Sequence, residues 1–185
     1  MADVLTVSPA VGGSATVEMA NVGAANGIAH TLSAAIDIDA NLKVVAGANG
    51  LNTLVAAANQ SQCADVLTSL TAPASRLTVF APTDAAFTAF FTARNITVTA
   101  ALELSTLPTI LLGHTVQGVY TSVDLMAASN MTLTTLAGTS ITIQTSASGT
   151  ITVTPAVGGS ATVATADVGA SNGIAHAVSA VLGNY

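Results

Sequence analysis

The chain's 185 residues suit one domain with an appendage, and a unit of this size can bury a core without a disulfide or a metal. Only 6% of the residues are charged, and the net charge of −6 excludes a nucleic-acid partner because the phosphate backbone would be repelled. Although 51% of the residues are hydrophobic, they are dispersed among Thr and Gly, and no run approaches the roughly 20 residues that span a bilayer.

The first segment of the chain is a near-copy of a later one. Residues 5–36 recur at residues 151–182 with a constant offset of 146 and with 22 identities in 32 positions. This offset is the length of an ordinary domain, whereas solenoid repeats recur every 20–50 residues or so. We therefore interpret residues 1–36 as the tail of a preceding repeat and residues 37–185 as one complete domain of a tandem array. The start of the chain lacks the basic and apolar regions of a signal peptide.

Helical patterns dominate the first half of the complete domain. Apolar residues recur at helical spacing over residues 41–70, and residues 77–81 alternate as a strand does. At the next turn, Thr83 or Asp84 is placed to cap a helix. That helix carries Phe87, Phe90 and Phe91. Further along, Leu107-Pro108 begins another helix, His114 begins a short strand, and Ser122 is positioned to cap a helical turn.

After Asn130 the apolar period becomes two, with Thr on one side of each predicted strand. Glycine-containing turns separate these strands at regular intervals, which is typical of an antiparallel meander with Thr on its solvent face. The last strand alternates around His176. The sequence therefore predicts an α+β domain in which short helices come first and an antiparallel sheet follows.

Residues that carry chemistry are few and are not grouped in sequence. His114 admits two interpretations, a general base or metal ligand, and a buried imidazole that binds neighbouring backbone. Asp84 beside Thr83 fits a helix cap better than an acid catalyst, and Cys63 has no neighbour in sequence that would activate its thiol. No cluster of Cys, His and Asp has the spacing of a metal site. We predict no catalytic residue, no cofactor and no metal.

Three segments resemble, in order and spacing, the signature motifs of fasciclin-type domains. They are Leu77–Phe87 (LTVFAPTDAAF), Leu111–Leu125 (LLGHTVQGVYTSVDL) and Asn172–Leu182 (NGIAHAVSAVL). The resemblance implies a fasciclin-like wedge of antiparallel β-sheets with several short helices on the N-terminal half. It also implies that four residues are structural members of the motifs: Thr83, Asp84, His114 and His176.

The chain departs from the family pattern at two positions. Gly113 stands where many members place a Tyr that has been linked to integrin-type adhesion, and Ser179 stands where the closing segment often carries Asp. The first departure argues against receptor binding through the central segment. The resemblance still implies an extracellular or cell-surface location and a role in cell adhesion or matrix assembly.

Two functions of different classes follow from the resemblance. The leading expectation is a non-enzymatic adhesion or matrix module whose partners are protein or polysaccharide surfaces, or neighbouring fasciclin domains. The alternative is a module that binds an apolar small molecule, such as a carotenoid or a lipid, beside the phenylalanine cluster of residues 87–91. Three sequons, at Asn59, Asn95 and Asn130, are candidate glycosylation sites.

The duplication has its own consequence for partners. One complete domain has one place for a closing segment, yet the chain carries two near-copies that could fill it. Unpaired strand edges tend to pair with other strands. Three outcomes follow for the first copy: it is disordered, it docks on its own domain, or it pairs with a neighbouring molecule. We expect it to be ordered, with strand-exchanged self-association through residues 5–36 as one outcome.

Overall fold

The computed structural model describes residues 6–7, 15–24, 27–32, 41–128 and 130–183. Its first three strands pair with one another as an antiparallel sheet in the order β1-β2-β3, and we call them the N-terminal unit. They are β1 (Thr6–Val7), β2 (Ala15–Ala24) and β3 (Gly27–Leu32). All three lie within the segment that we interpreted as the tail of a preceding repeat.

The other described residues form an α+β body, as the sequence predicted. Its helices are α1 (Leu42–Ala48), α2 (Asn52–Ala58), a 3₁₀ turn (Ser61–Cys63), α3 (Ala64–Thr71), α4 (Asp84–Ala93), α5 (Val98–Leu102), α6 (Leu107–Leu112) and α7 (Ser122–Ala127). Its strands are β4 (Leu77–Pro82), β5 (Thr115–Gln117), β6 (Met131–Thr134), β7 (Ser140–Thr145), β8 (Ile151–Pro155), β9 (Ala161–Ala170) and β10 (Gly173–Val178). Every helix precedes the four-strand meander that begins at β6.

The seven strands of the body form one sheet in the order β5-β4-β10-β9-β8-β7-β6. The sheet curls so that its two outermost strands meet. Val116 of β5 bridges Thr135, just beyond β6, and the Leu136 N–H donates to the Thr115 carbonyl at 2.8 Å. This closure protects strand edges that would otherwise be open to pairing with another chain.

One strand pair differs from the antiparallel arrangement that we expected. β10 pairs antiparallel with β9 but parallel with β4, in a register that runs from Gly173 opposite Leu77 to Val178 opposite Pro82. The short turn after β9 sets the direction of β10, whereas the paired residues of β4 are 96 positions away in sequence and no turn constrains that pair. The sheet is therefore mixed, with β10 near its centre.

Two apolar cores lie on opposite faces of the central strands. Because side chains alternate along a strand, Val79 and Ala81 of β4 face the helices while Phe80 faces the inside of the curled sheet. The helix-side core contains Leu54, Val66, Phe87, Leu107 and Ala175, among others. The core inside the sheet contains Leu125, Ile141, Ile143, Val153, Val178 and Leu182, among others.

The start of α7 differs from the sequence prediction. Thr121, and not Ser122, is the N-cap, and it forms a capping box in which its hydroxyl accepts from the Asp124 N–H while the Asp124 carboxylate accepts from the Thr121 N–H. Ser122 is the first helical residue, and both its N–H and its hydroxyl donate to the carboxylate of Asp167 on β9. The helix is thus held to the sheet at its first turn.

We predict that Phe80→Ala lowers the free energy of unfolding by about 3–5 kcal/mol, because it leaves a cavity inside the sheet where the ring is fully buried. Val157→Ala is the control, since Val157 is 66% exposed and should change stability by less than about 0.5 kcal/mol. Urea titration measures both. Equal midpoints for Phe80→Ala and the wild type would show that this assignment of the core is wrong.

Candidate functional site

Thr83 and Asp84 connect the N-termini of two helices. The Thr83 hydroxyl accepts the N–H of the residue three positions later, at 3.2 Å, and caps α4. The Asp84 carboxylate instead accepts from the Thr53 N–H at 2.8 Å and from the Asn52 amide at 3.3 Å. The N-cap of α2, Leu51, makes no side-chain cap, so Asp84 satisfies the first turn of that helix in its place.

These contacts also set the charge of Asp84. Burial would raise the pKa of its carboxyl, but the hydrogen bonds from Thr53 and Asn52 outweigh burial and hold the pKa below its ordinary value. An ionised carboxylate is a poor proton donor at neutral pH. The geometry therefore fits helix capping and gives no support to acid catalysis.

His114 is buried and bridges two segments of backbone. Its Nε2 accepts from the Leu182 N–H at 2.8 Å, so the proton lies on Nδ1, which donates to the Ile110 carbonyl at 2.7 Å. Burial lowers the pKa of His114 to about 4, although the hydrogen bond to Ile110 acts in the opposite direction. Protonation would turn Nε2 into a donor facing another donor, so the imidazole binds the C-terminal segment only when it is neutral.

His176 makes a similar bridge with the opposite tautomer. Its Nδ1 accepts from the Asp167 N–H at 3.2 Å, and its Nε2 donates to the Tyr120 carbonyl at 2.8 Å. Burial lowers its pKa, while the Tyr120 carbonyl and the Asp167 carboxylate act to raise it. The ring also stacks on Phe80, with centroids 5.7 Å apart. Both ring nitrogens are occupied by backbone, as they are in His114.

Asn172 and Gly173 begin the segment that resembles the closing family motif, and the structure shows what each of them contacts. The buried Asn172 amide donates to the Leu70 and Ala72 carbonyls at 2.9 and 3.1 Å, and its Oδ1 accepts from the Leu42 N–H at 2.9 Å. A Cβ on Gly173 would lie 2.2 Å from the Leu77 carbonyl oxygen, so only glycine fits there. The recurrence of this Asn-Gly pair at residues 26–27 was the available sequence signal.

The phenylalanines of α4 divide between core and surface. Phe87 and Phe91 are buried in the helix-side core, with ring centroids 5.7 Å apart. The cavity nearest that core, lined by Leu42, Leu54 and Val79 among others, has a volume of about 10 Å³, which is hardly enough for one water molecule. These two rings therefore fill the core.

Phe90 lies beside an open groove of about 310 Å³ between α4 and the glycine turn that precedes β9. The groove is lined by both apolar and polar groups: Ala86, Ala89, Phe90, Ala93, Arg94, Gly158, Gly159, Ser179, Ala180, Val181 and Gly183. The Arg94 guanidinium lies 3.7 Å from the centroid of the Phe90 ring, a cation–π contact. This volume is at the lower end of the range for small-molecule sites.

The outer face of strands β6 to β9 forms a regular polar surface, which we call the hydroxyl face. It comprises Thr132, Thr134, Ser140, Thr142, Gln144, Thr152, Thr154 and Thr162, all half-buried or exposed. The strand register places Thr142 opposite both Thr132 and Thr154, and Thr152 opposite Thr162. Residues 125–166 contain no Asp, Glu, Lys or Arg. The side chains of this face therefore form hydroxyl rows without charge.

The three sequon asparagines are exposed, and each lies at the end or start of an element. Asn59 follows α2, Asn95 follows α4, and Asn130 precedes β6. The Asn130 side-chain oxygen accepts from Gln144 at 3.1 Å, at the border of the hydroxyl face. A glycan on Asn130 would therefore stand beside that face.

Two further kinds of group in the described part of the chain are a buried thiol and the residue types that bind metals. Cys63 is buried, and burial raises the pKa of its thiol, which disfavours the reactive thiolate. Within the described ranges, no three residues of the types His, Cys, Asp and Glu lie close enough to hold a metal ion. No helix among these residues is long and apolar enough to cross a bilayer.

The fold and these contacts define a module with one mixed sheet, in which buried polar residues hold separate segments together. Comparisons with known proteins identify the family to which this module belongs. The family model described as Fasciclin domain matches residues 49–184, so the chain belongs to the fasciclin domain family, a family of modules related to cell adhesion that are typically extracellular or at the cell surface. This confirms the family resemblance found in the sequence. A search of curated proteins found no match.

A solved structure shows the same fold. It is described as a FAS1 domain pair from the insect cell adhesion molecule Fasciclin I, and the similarity has a TM-score of 0.64 at 20% sequence identity. The match covers 91% of this chain but only 60% of that chain. At this level of identity the likeness establishes the fold and nothing about partners.

We predict that stability falls as the pH drops from about 6.5 to 4, because the unfolded chain takes up a proton on His114 before the folded one does. The His114 contribution is fully present above pH 6.5 or so, and its loss amounts to about 3 kcal/mol. Urea titrations at several pH values measure it. His114→Gln should be less stable at pH 7 and show a flatter profile, with a remainder from His176. Parallel profiles for variant and wild type would exclude His114 as the responsible group.

Proposed function

We propose that this chain is a non-enzymatic extracellular adhesion or matrix module from a protein that carries several such domains in tandem. The observation that carries the proposal is the hydroxyl face, a neutral, regular polar surface on an antiparallel sheet. Its partners are protein or polysaccharide surfaces, or neighbouring fasciclin domains. The solved structure that resembles this chain comes from a protein described as a cell adhesion molecule, which supports the proposal.

The chemistry of the hydroxyl face suits many weak contacts. Each Thr hydroxyl both donates and accepts hydrogen bonds, and its β-branched side chain has few rotamers to lose on binding. A single hydrogen bond contributes only about 1 kcal/mol net, so one copy of the face binds weakly. Several copies on one chain or one surface would raise the overall affinity by multivalency, which is how adhesion modules in tandem act.

Glycosylation fits the same proposal. Exposed sequons at Asn59, Asn95 and Asn130 provide three attachment points on a secreted chain. Two of them, Asn59 and Asn95, end helices of the body and are not part of the hydroxyl face. Glycans there would add polar surface and leave the face itself open.

The polar motif residues offer little to an enzyme. Each ring nitrogen of His114 and His176 contacts backbone, and Asp84 caps a helix. A general base must reach its substrate's proton. These groups are already engaged within the fold, which supports a binding role over a catalytic one.

We predict that Thr134→Lys/Thr154→Lys reduces adhesion by roughly tenfold or more, because the two charges interrupt the neutral hydroxyl rows. On a multivalent surface the same contact is lost in every copy of the module, so the losses add up. The assay uses beads coated with the secreted protein and counts those retained on cells of the source organism. The intact mass of that protein before and after glycosidase treatment reports whether the sequons are used.

The matched control is Thr88→Lys/Thr92→Lys, which adds the same two charges on the exposed side of α4. It should bind as the wild type does. Equal losses in both variants would point to a general charge effect and contradict a role for the hydroxyl face. Wild-type beads that bind no better than uncoated beads would contradict the adhesion proposal itself.

The groove beside Phe90 supports a second candidate function, the binding of an apolar small molecule such as a carotenoid or a lipid. Its apolar lining and the stacked Arg94 guanidinium would hold a flat molecule with a polar end. Phe87 and Phe91 are buried, so their rings are not exposed for contact with a ligand. The groove is therefore the weaker of the two candidates.

If the groove binds such a molecule, β-carotene offered in detergent will co-elute with the wild-type chain in size-exclusion chromatography. Ala89→Trp should prevent this, because the new side chain fills the groove. Ala100→Trp, on the exposed side of α5, is the control and should leave binding unchanged. Absence of bound pigment in the wild type, or equal uptake by both variants, would exclude the groove as a site for this class of ligand.

A further inference from the structure

A cavity of about 130 Å³ lies between the start of β7, the end of β8 and the chain after β10. Its lining includes Gly113, Thr139, Ile141, Ala156, Val157 and Leu182. It is separate from the groove beside Phe90, which continues along Val181, whereas the cavity continues along Leu182. Protein interiors contain few voids larger than a water molecule, so a cavity of this size is an unusual feature of a packed domain.

Backbone contacts hold the walls of the cavity in place. The His114 imidazole accepts from the Leu182 N–H at 2.8 Å and so fixes one wall. A Cβ on Gly158 would lie 2.7 Å from the carbonyl carbon of Gly183, so the turn before β9 contacts the same stretch of chain directly. On the other side, the pairing of β7 with β8 fixes the position of Ile141. Because the walls are fixed in this way, the surrounding residues do not collapse into the space.

The interior of the cavity is apolar. Ile141 and Leu182 are buried and present hydrocarbon side chains, and Val157 at the mouth is 66% exposed. No described residue of the lining carries a charge. Cavities lined by such side chains stay free of water, and one of about 150 Å³ holds a benzene ring. The occupant that fits is therefore a neutral molecule with the size of one six-membered ring, which would also cover part of Val157.

Thr139 gives the cavity one polar group, and it is exposed to solvent. Its hydroxyl lies 2.8 Å from the Thr135 hydroxyl, and its N–H donates to the same Thr135 oxygen at 3.3 Å. A hydroxyl has one proton and two lone pairs, so Thr139 can still accept a hydrogen bond while it donates to Thr135. A phenol is a stronger donor than an aliphatic alcohol because its proton is more acidic. These groups favour an aromatic ring with a single hydroxyl over a plain hydrocarbon.

We propose that this cavity is a binding site for a monocyclic phenol. The ring contacts Ile141, Val157 and Leu182, and the phenol O–H donates to the Thr139 hydroxyl oxygen. The ligand is a free small molecule, in contrast to the long apolar molecules considered for the groove beside Phe90. The site does not depend on the adhesion proposal, because the described lining of the cavity shares no residue with the hydroxyl face.

The first measurement titrates the ¹⁵N-labelled wild-type chain with phenol. We expect saturable shifts of the amide signals around Gly113, Val157 and Leu182, with a Kd of roughly 1 mM or below, since one ring and one hydrogen bond make few contacts. The melting temperature should rise by about 4 °C at a phenol concentration roughly tenfold above the Kd. Shifts that are spread over the surface and do not saturate would overturn the proposal.

Thr139→Val tests the polar contact, because valine keeps the shape of the side chain and removes the hydroxyl. It should weaken phenol binding roughly fivefold, the effect of one lost hydrogen bond, and leave the binding of toluene unchanged. Equal losses for the two probes, or a loss for neither, would contradict the role of Thr139 and with it the assignment of the ligand as a phenol.

Two variants obstruct the cavity from different elements. Gly113→Leu adds a side chain at a position with a φ of −66°, which any residue adopts, and Ala156→Phe adds one at an exposed position just after β8. Both should weaken phenol binding by roughly tenfold or more. The control Ala89→Phe makes the same change at another exposed alanine, which lines the groove beside Phe90, and should bind phenol as the wild type does. Retained binding in both obstructed variants, or an equal loss in the control, would exclude the cavity as the site.

A phenol ring is also available within the chain, since Tyr185 lies two positions after Gly183 in the sequence. The variant Tyr185→Ala separates the two sources. If a free phenol is the ligand, the wild type and Tyr185→Ala should bind it equally. Binding that appears only in Tyr185→Ala would show that the chain's own ring competes for the cavity, and the proposal of a free ligand would then be wrong.

Discussion

The insertion of β10 between β9 and β4 is the constraint on which the rest of the structure depends. This strand arrives from the far end of the chain, pairs in parallel with the first strand of the body, and thereby joins the meander to the helical half. Its turn carries a buried Asn172 whose amide satisfies three backbone groups of α1 and α3. Buried polar groups are costly when unpaired, so these bonds specify a single docked position.

The same insertion explains why two cores can share one sheet. β4 and β10 are covered on both faces, so every residue of β4 is buried. Successive apolar side chains point alternately towards the helices and towards the inside of the curled sheet. His114 accepts from the Leu182 N–H of the C-terminal segment, and His176 donates to the Tyr120 carbonyl that precedes α7, so each imidazole satisfies a backbone group outside the helices and strands. Protonation of His114 would break its bond to Leu182, so the attachment of the C-terminal segment depends on pH.

Local patterns in the sequence predicted much of the architecture and little of the long-range pairing. Alternating Thr from residue 132 onward indicated the meander, because one wet and one buried face impose a period of two. The parallel partnership of β4 and β10 was missed because a strand buried on both faces has the same pattern whatever the direction of its neighbour. Asp84 was read as a possible cap for its own helix, yet it caps α2, a contact between residues 31 positions apart that spacing alone does not reveal.

The polar residues of the segments that resemble the family motifs are little available to a partner, since Thr83, His114, Asn172 and His176 direct their polar atoms into the fold. Binding must therefore use surfaces that these residues only support. The duplicated segment supplies part of one such surface, because Thr152 and Thr162 belong to the hydroxyl face and the first copy repeats them as Thr6 and Thr16 in the same register. The duplication therefore repeats the threonine pairing of this face together with the strands that carry it.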